Sequence, residues 1–266
     1  MNKVWTKTLL TLTLLVVFGL AYRPSPAQAA SGILDGFLAD KNIDASVSAD
    51  VAFYDKYIWR GFRLDGDPSV QPDFTISVGP IEGGWWGNED VSNTDSLSSN
   101  ESDGWIGYNF DLGFINEDLK KVGFSVGNTW YGFPGTNGYS KESFVTVSVD
   151  TLLSPSFTWY HDYGKESQGG GNGDYYVFSG GHSFTLDDQY GITLDISEEL
   201  GINHKAFIVG TGGWSTTTVG LTIPLTDHVT LTPNMSYTSP FSDLSSSSDG
   251  AQNDEFWGGV SVSFSS

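Results

Sequence analysis

From Ser46 onward the chain alternates apolar and polar residues with a period of two. Val47, Ala49, Val51, Phe53, Tyr57 and Trp59 fall on one side, and Ser48, Asp50, Tyr54, Lys56 and Arg60 on the other. After the turn signal Asp65-Gly66-Asp67-Pro68 the pattern resumes, with Val70, Pro72, Phe74, Ile76 and Val78 against Gln71, Asp73, Thr75 and Ser77. This period belongs to β-strands with one greasy and one wet face.

The same alternation recurs to the end of the chain. Ile106, Tyr108, Phe110 and Leu112 oppose Trp105, Asn109 and Asp111; Val122, Phe124, Val126 and Trp130 oppose Ser125, Thr129 and Tyr131. It continues through Val145 to Val149, Phe157 to Trp159, Tyr190 to Ile196, Val219 to Ile223 and Val229 to Tyr237, and closes at Val260, Val262 and Phe264. Gly83 to Asn88, where Trp85 and Trp86 take both faces, and Asp174 to Phe184, where His182 interrupts, read less cleanly as strands. With the first strand running outward, brief turns are expected at Gly79 to Gly83, Ile115 to Lys120, Leu152 to Pro155, Thr185 to Asp188 and Pro224 to Asp227. Longer polar loops fall at Gly61 to Ser69, Val91 to Asp103, Phe133 to Ser140, Gly164 to Gly173, Gly201 to Trp214 and Thr238 to Asp254. That makes about twelve strands, an even number with both termini at the short-turn end, as in outer-membrane barrels. Ala206 to Val209 is apolar enough for a thirteenth strand, but parity assigns it to a partly buried outer loop.

The first residues set the compartment. Lys3 and Lys7 precede an apolar run from Leu9 to Tyr22, then Pro24-Ser25-Pro26 and Ala27-Gln28-Ala29, the layout of a secretory signal peptide. The run falls short of the ~20 residues a spanning helix needs. The expected organisation is a signal peptide over 1–29, a periplasmic lead-in over 30–45 and a barrel over 46–266. Without Lys3, Lys7 and Arg23, nine basic residues face 32 acidic ones, a net −23. So acidic a chain lacks the basic footprint of a nucleic-acid binder. It suits metal ions, divalent-bridged lipopolysaccharide or a cation-preferring pore. The absence of cysteine excludes disulfide scaffolds and thiolate chemistry.

A β-sandwich core would also alternate. Lipid is favoured because the wet faces carry small residues and Asp rather than Lys and Glu, because the loop lengths are asymmetric, and because the C-terminal strand ends on an aromatic, two residues before the terminus. The fold expected is therefore all-β, a closed antiparallel transmembrane barrel, since only closure satisfies every backbone group in lipid.

Tyr57-Ile58-Trp59-Arg60-Gly61, Pro68-Ser69-Val70-Gln71 and Gly84-Trp85-Trp86-Gly87-Asn88 resemble the "Y-x-x-R-G … P-x-x-Q … G-x-W" signature of the TorF family, barrels called porins largely on architecture. The resemblance extends to Glu101-Ser102-Asp103, Gly107-Tyr108 and Tyr131-Gly132-Phe133-Pro134-Gly135 and is weak beyond Gly135. Trp59 and the doubled Trp85-Trp86 depart from the pattern. The resemblance implies an outer-membrane barrel and no particular solute.

If the alternation holds, Asp50, Tyr54, Lys56, Arg60, Asp73, Asp111, Asp150, Asp162 and Asp195 line the pore, where acids outnumber bases and favour cations or polar neutral solutes. The competing reading pairs Lys56 and Arg60 with these aspartates as a plug. Tyr57, Trp59, Trp130 and Trp159 are expected in the aromatic girdles, and Asp55 falls on the lipid side unless a bulge intervenes. An enzyme is not expected: in Gly181-His182-Ser183 and in His161-Asp162 the neighbours point to opposite faces. The acidic loops lack D-x-D-x-D-G calcium spacing, and no cofactor or metal site is implied. The expected partners are outer-membrane lipid, lipopolysaccharide, and small hydrophilic solutes or cations. The expected function is passive diffusion through a channel, with a closed structural or adhesion barrel acting through its loops as the alternative.

Overall fold

An alternating strand can bury its backbone in lipid only by pairing on both edges, and every long strand of this chain does so. A computed structural model describes residues 44–91, 100–246 and 251–266. The strands are β1 (Ala45–Tyr54), β2 (Tyr57–Trp59), β3 (Phe62–Asp65), β4 (Ser69–Val78), β5 (Ile81–Asp90), β6 (Glu101–Asp111) and β7 (Val122–Phe133). They continue as β8 (Gly138–Val149), β9 (Ser156–Asp162), β10 (Asp174–Asp187), β11 (Ile192–His204), β12 (Thr211–Thr226), β13 (Val229–Ser242) and β14 (Glu255–Ser265). β1 and β4 through β14 form a closed antiparallel barrel of 12 strands in sequence order. It is sealed where β1 meets β14, from Ser48 opposite Ser265 to Tyr54 opposite Gly259. Ser266 then donates its backbone N–H to the Val47 carbonyl, so both ends of the barrel chain lie at the short-turn rim.

The exterior is the apolar register. Phe53, Phe74, Ile106, Tyr108, Val126, Phe178, Ile196, Val219 and Val260 are exposed on it, and cross-strand rings stack there, as between Phe110 and Phe124. The two poorly alternating segments are wall strands nonetheless. In β5 Trp85 is exposed outside while Trp86 packs on Tyr57 inside. In β10 Gly180 and Gly181 carry no side chain, and His182 bonds the Leu152 carbonyl. Residues 205–210 are a loop with Ala206 fully buried, not a thirteenth strand. The loop asymmetry is not strict: the inner connection 112–121, with a capped 3₁₀ turn at Glu117–Leu119, is longer than the outer connections 134–137 and 205–210, and the inner connection 150–155 is longer than 134–137. The signal-peptide and most of the lead-in assignments lie outside the described residues.

The main departure from the alternation comes after Tyr54. The wall ends at Asp55, which exchanges hydrogen bonds with Gly258, and β2 and β3 form a separate two-stranded hairpin. A strand carried straight on past Asp55 would have put Tyr57 and Trp59 in the outer girdle. Instead Tyr57 is buried at 3% exposure, and Trp59 packs among interior rings.

Because β7 faces lipid with Val126 and lumen with Ser125, a lysine distinguishes the two sides. Val126→Lys is expected to cost about 2–4 kcal/mol in urea unfolding from lipid vesicles, and Ser125→Lys much less.

Candidate functional site

The hairpin tip is Arg60-Gly61, with φ of 46° and 82°. Positive φ at both central residues is the geometry of the two-residue type I′ turn. Gly61 is needed for space as well: a Cβ there would sit 2.7 Å from the Cβ of Trp214 on β12 and from Leu244. Leu244 belongs to the one-turn helix α1 (Asp243–Ser246). In barrel order β9 and β10 stand across the ring from β1 and β4, so a hairpin rising between β1 and β4 and touching Tyr160 and Tyr175 spans the mouth.

At that far wall the Arg60 guanidinium makes a two-pronged ion pair with Glu142 of β8: Nη1 to Oε2 at 2.6 Å and Nη2 to Oε1 at 2.9 Å. Tyr131 donates its hydroxyl to the same Oε1 at 2.9 Å. The guanidinium carbon lies 3.8 Å from the Tyr160 ring centroid, 4.5 Å from Tyr175 and 4.7 Å from Trp59. A planar, weakly hydrated cation suits such a cage, where a lysine would supply neither the fork nor the stacking. At the hairpin's base, Lys56 and Arg63 share the two carboxylate oxygens of Glu255.

Tyr175, Val177, Ala206, Trp214 and Leu244 form a buried apolar core inside the outer third of the barrel, with Trp59, Phe62, Tyr160 and Ile208 packed against it. Gly201 lets the Trp214 ring lie flat on β11, with its Nε1–H donated to Glu199. The hairpin divides the outer interior into two spaces. One of about 190 Å³ is lined by Trp59, Phe62, Phe133 and Phe207. Another of about 390 Å³ is lined by Trp86, Trp105, Phe144 and the Arg60 side chain.

Residues scattered along the motif stretches converge here. Tyr57 donates its hydroxyl to Glu101, Gly132 donates its N–H to Asp103, and Gln71 donates its amide to the Asn88 side chain. Of the residues expected to line a pore, Asp50, Tyr54, Asp73 and Asp195 face inward from the wall. Asp50 accepts from Ser263, Asp73 from Thr75, and Asp195 from Thr193 and Thr222. Asp162 is inward too but spent locally, accepting from Ser140 and from the N–H groups of Gly164 and Asn172.

Arg60 is on the hairpin, not the wall, and Lys56 sits in the bend leading to it. Asp111, at the inner end of β6, accepts from the Gly113 N–H, and Asp150 is exposed beyond the end of β8. Asp111 is thus still a wall residue, paired with Gly123 of β7, whereas at Asp150 the polar parity has run on into the turn. Trp130 and Trp159 are on the outer surface, Trp159 donating to Asp174. His161 also bonds Asp174 rather than Asp162. The sequence reading left out Glu142, Tyr160, Tyr175 and Trp214. Parity carried a signal for three of them, since stepping by twos from Thr146, Thr158 and Thr218 places Glu142, Tyr160 and Trp214 on the polar face; Tyr175 had none.

No family model matches the chain, and no curated protein matches it in sequence. Its fold is similar to that of a solved KdgM porin, with a TM-score of 0.52 at 9% identity, covering 82% of this chain and 98% of that one. The COG4313 outer membrane channel from Pseudomonas putida F1 is similar to the same degree, with a TM-score of 0.52 at 9% identity over 84% of this chain and 95% of that one. The chain thus has the fold of bacterial outer-membrane channels.

Removing either partner of a buried ion pair strands the other charge, a cost of about 3–5 kcal/mol. Arg60→Ala is therefore expected to release the hairpin, read as fast amide exchange over residues 57–65. The Arg60→Leu, Glu142→Leu pair should restore much of the protection. Tyr175 tests the same site differently, because its buried hydroxyl has no hydrogen-bond partner among the described residues. Tyr175→Phe should leave hairpin protection unchanged or raised, whereas Tyr131→Phe should weaken it by about 1–3 kcal/mol.

Proposed function

We propose that this barrel is an outer-membrane channel for passive diffusion of small hydrophilic solutes, preferring cations, with the β2–β3 hairpin restricting its outer mouth. The observation that carries the reading is the contrast between two acidic groups. Below the hairpin, Asp50, Asp73, Glu82 and Asp195 face the interior, and none of the four forms an ion pair with a described residue. Asp50 and Asp73 stand directly opposite each other across β1 and β4. At the hairpin, by contrast, Arg60 neutralises Glu142. Unpaired carboxylates on a polar wall lower the barrier for positive charge and raise it for anions.

The surrounding wall supports passage. Many of its inward positions are small and polar, among them Ser48, Thr75, Ser125, Thr193, Thr218, Ser236 and Ser263, and leave more room for water than the inward rings of Tyr54, Trp105 and Phe144. The resemblance of Tyr57 to Gly61 and its companion motifs to the TorF family agrees with this reading, and the exposed apolar band suits outer-membrane lipid and lipopolysaccharide as surroundings. The apolar core in the outer third supports the second reading, a closed barrel acting through its loops.

Planar-bilayer recordings separate the two. The channel reading expects brief openings in the wild-type protein and larger or longer ones in Arg60→Ala. Reversal potentials in a KCl gradient should favour K⁺, less so in Asp50→Asn, Asp73→Asn. No opening in either the wild type or Arg60→Ala would sink the channel and favour the closed barrel.

A further inference from the structure

The smaller cavity, between the hairpin and the wall strands at the outer mouth, has a composition that neither passive diffusion nor the plug requires. Its sides are ring faces and edges: Trp59 and Phe62 from the hairpin, Tyr131 and Phe133 from β7, and Phe207 from the 205–210 loop. Leu64, Ser140 and two carboxylates, Glu101 and Asp162, complete the lining. Around the cavity stand four carboxylates, Glu101 and Asp162 in its lining and Asp103 and Glu142 beyond it, with one base, Arg60. Glu142 alone takes both prongs of that base. The cavity therefore combines electron-rich ring faces with carboxylates that no described base neutralises.

From this composition we infer that the outer cavity is a binding site for a small organic cation of the quaternary or alkyl ammonium class. Aromatic faces attract such cations through the ring quadrupole, most strongly where water is excluded. The protein already contains an instance of this chemistry one layer away, where Trp59, Tyr160 and Tyr175 enclose the guanidinium of Arg60. Trp59 belongs to both sites, so the same ring that holds the internal cation borders the cavity. A bare metal ion is the wrong occupant: hard cations require several oxygen ligands, and no group of His, Asp and Glu suited to a metal occurs among the described residues. An anion would face the Glu101 and Asp162 carboxylates with no described base paired to them. The space of about 190 Å³ corresponds to roughly six water volumes at ~30 Å³ each, which suits a molecule the size of choline and not an oligosaccharide. Phe207 is 45% exposed and Leu64, another lining residue, also 45%, so the cavity is reached from the outer side.

Binding does not require conductance, so the site stands or falls separately from the channel. The test uses the full barrel in a maltoside detergent, whose headgroup carries no ammonium. Choline and its uncharged carbon isostere dimethylbutanol are titrated against intrinsic tryptophan fluorescence, with calorimetry alongside. The expected result is saturable choline binding, with the isostere weaker by about ten-fold or more. Glu101→Gln should weaken choline and leave the isostere unchanged. Phe207→Leu lies in a loop outside the barrel wall and should also weaken choline, with folding verified by heat-modifiable gel migration. Equal affinity for choline and the isostere, or no saturable choline binding by the wild-type protein, overturns the inference. So does unchanged choline affinity in both folded variants.

Discussion

A sheet surrounded by lipid cannot leave an edge open, because each unsatisfied N–H or C=O in hydrocarbon costs several kcal/mol. Here that constraint is met where β1 pairs with β14 on one side and β4 on the other. Closure is what turns a strict alternation into an inside and an outside. Once the ring is shut, one register belongs to lipid and the other is free to be polar, acidic or filled. The connection between β1 and β4 rises beside the closing seam, so the chain that seals the barrel also supplies the segment that crosses its mouth.

The interior then divides by depth. The outer third is built like the core of a small water-soluble protein, with Trp214, Tyr175 and Leu244 almost wholly buried and one ion pair at its edge. The cost of burying Arg60 is offset by a forked hydrogen bond to Glu142, by the Tyr131 hydroxyl that holds Glu142 in place, and by three ring faces. The inner part of the wall carries short hydroxyl side chains and carboxylates that bond to their Ser and Thr neighbours rather than to bases. The chain's excess of acid is thus not spread evenly: among the described residues, the bases that reach the interior, Lys56, Arg60 and Arg63, are all engaged near the outer mouth.

This depth dependence also explains how the motif stretches relate. Tyr57, Arg60, Glu101, Asp103 and Tyr131 are far apart in the chain, yet each faces inward near the outer rim, where strands running in opposite directions bring their ends together. Arg60 and Gly61 are adjacent for a backbone reason: the tight reversal needs two positive φ values, and the glycine must also pass under Trp214. Substituting the arginine alone would remove the latch, and substituting the glycine would remove the path that brings the latch to the far wall.

The alternation running from Val47 to Phe264 determined by itself which faces are apolar, how many strands the barrel wall has, and that Asp50, Asp73 and Asp195 point inward. A period of two assigns a face to each residue wherever the chain is a wall strand, and parity fixes which rim each connection belongs to. It does not say where the wall stops. Tyr57 and Trp59 keep the alternation after the chain has left the barrel, and Asp150 keeps it into a turn. Only the tertiary structure decided that residues 57–65 fold inward, because that depends on a glutamate, Glu142, 82 residues further on, and on rings from three other strands. A connection's direction is set by what it can bury and pair with at its far end, and that partner is distant in sequence.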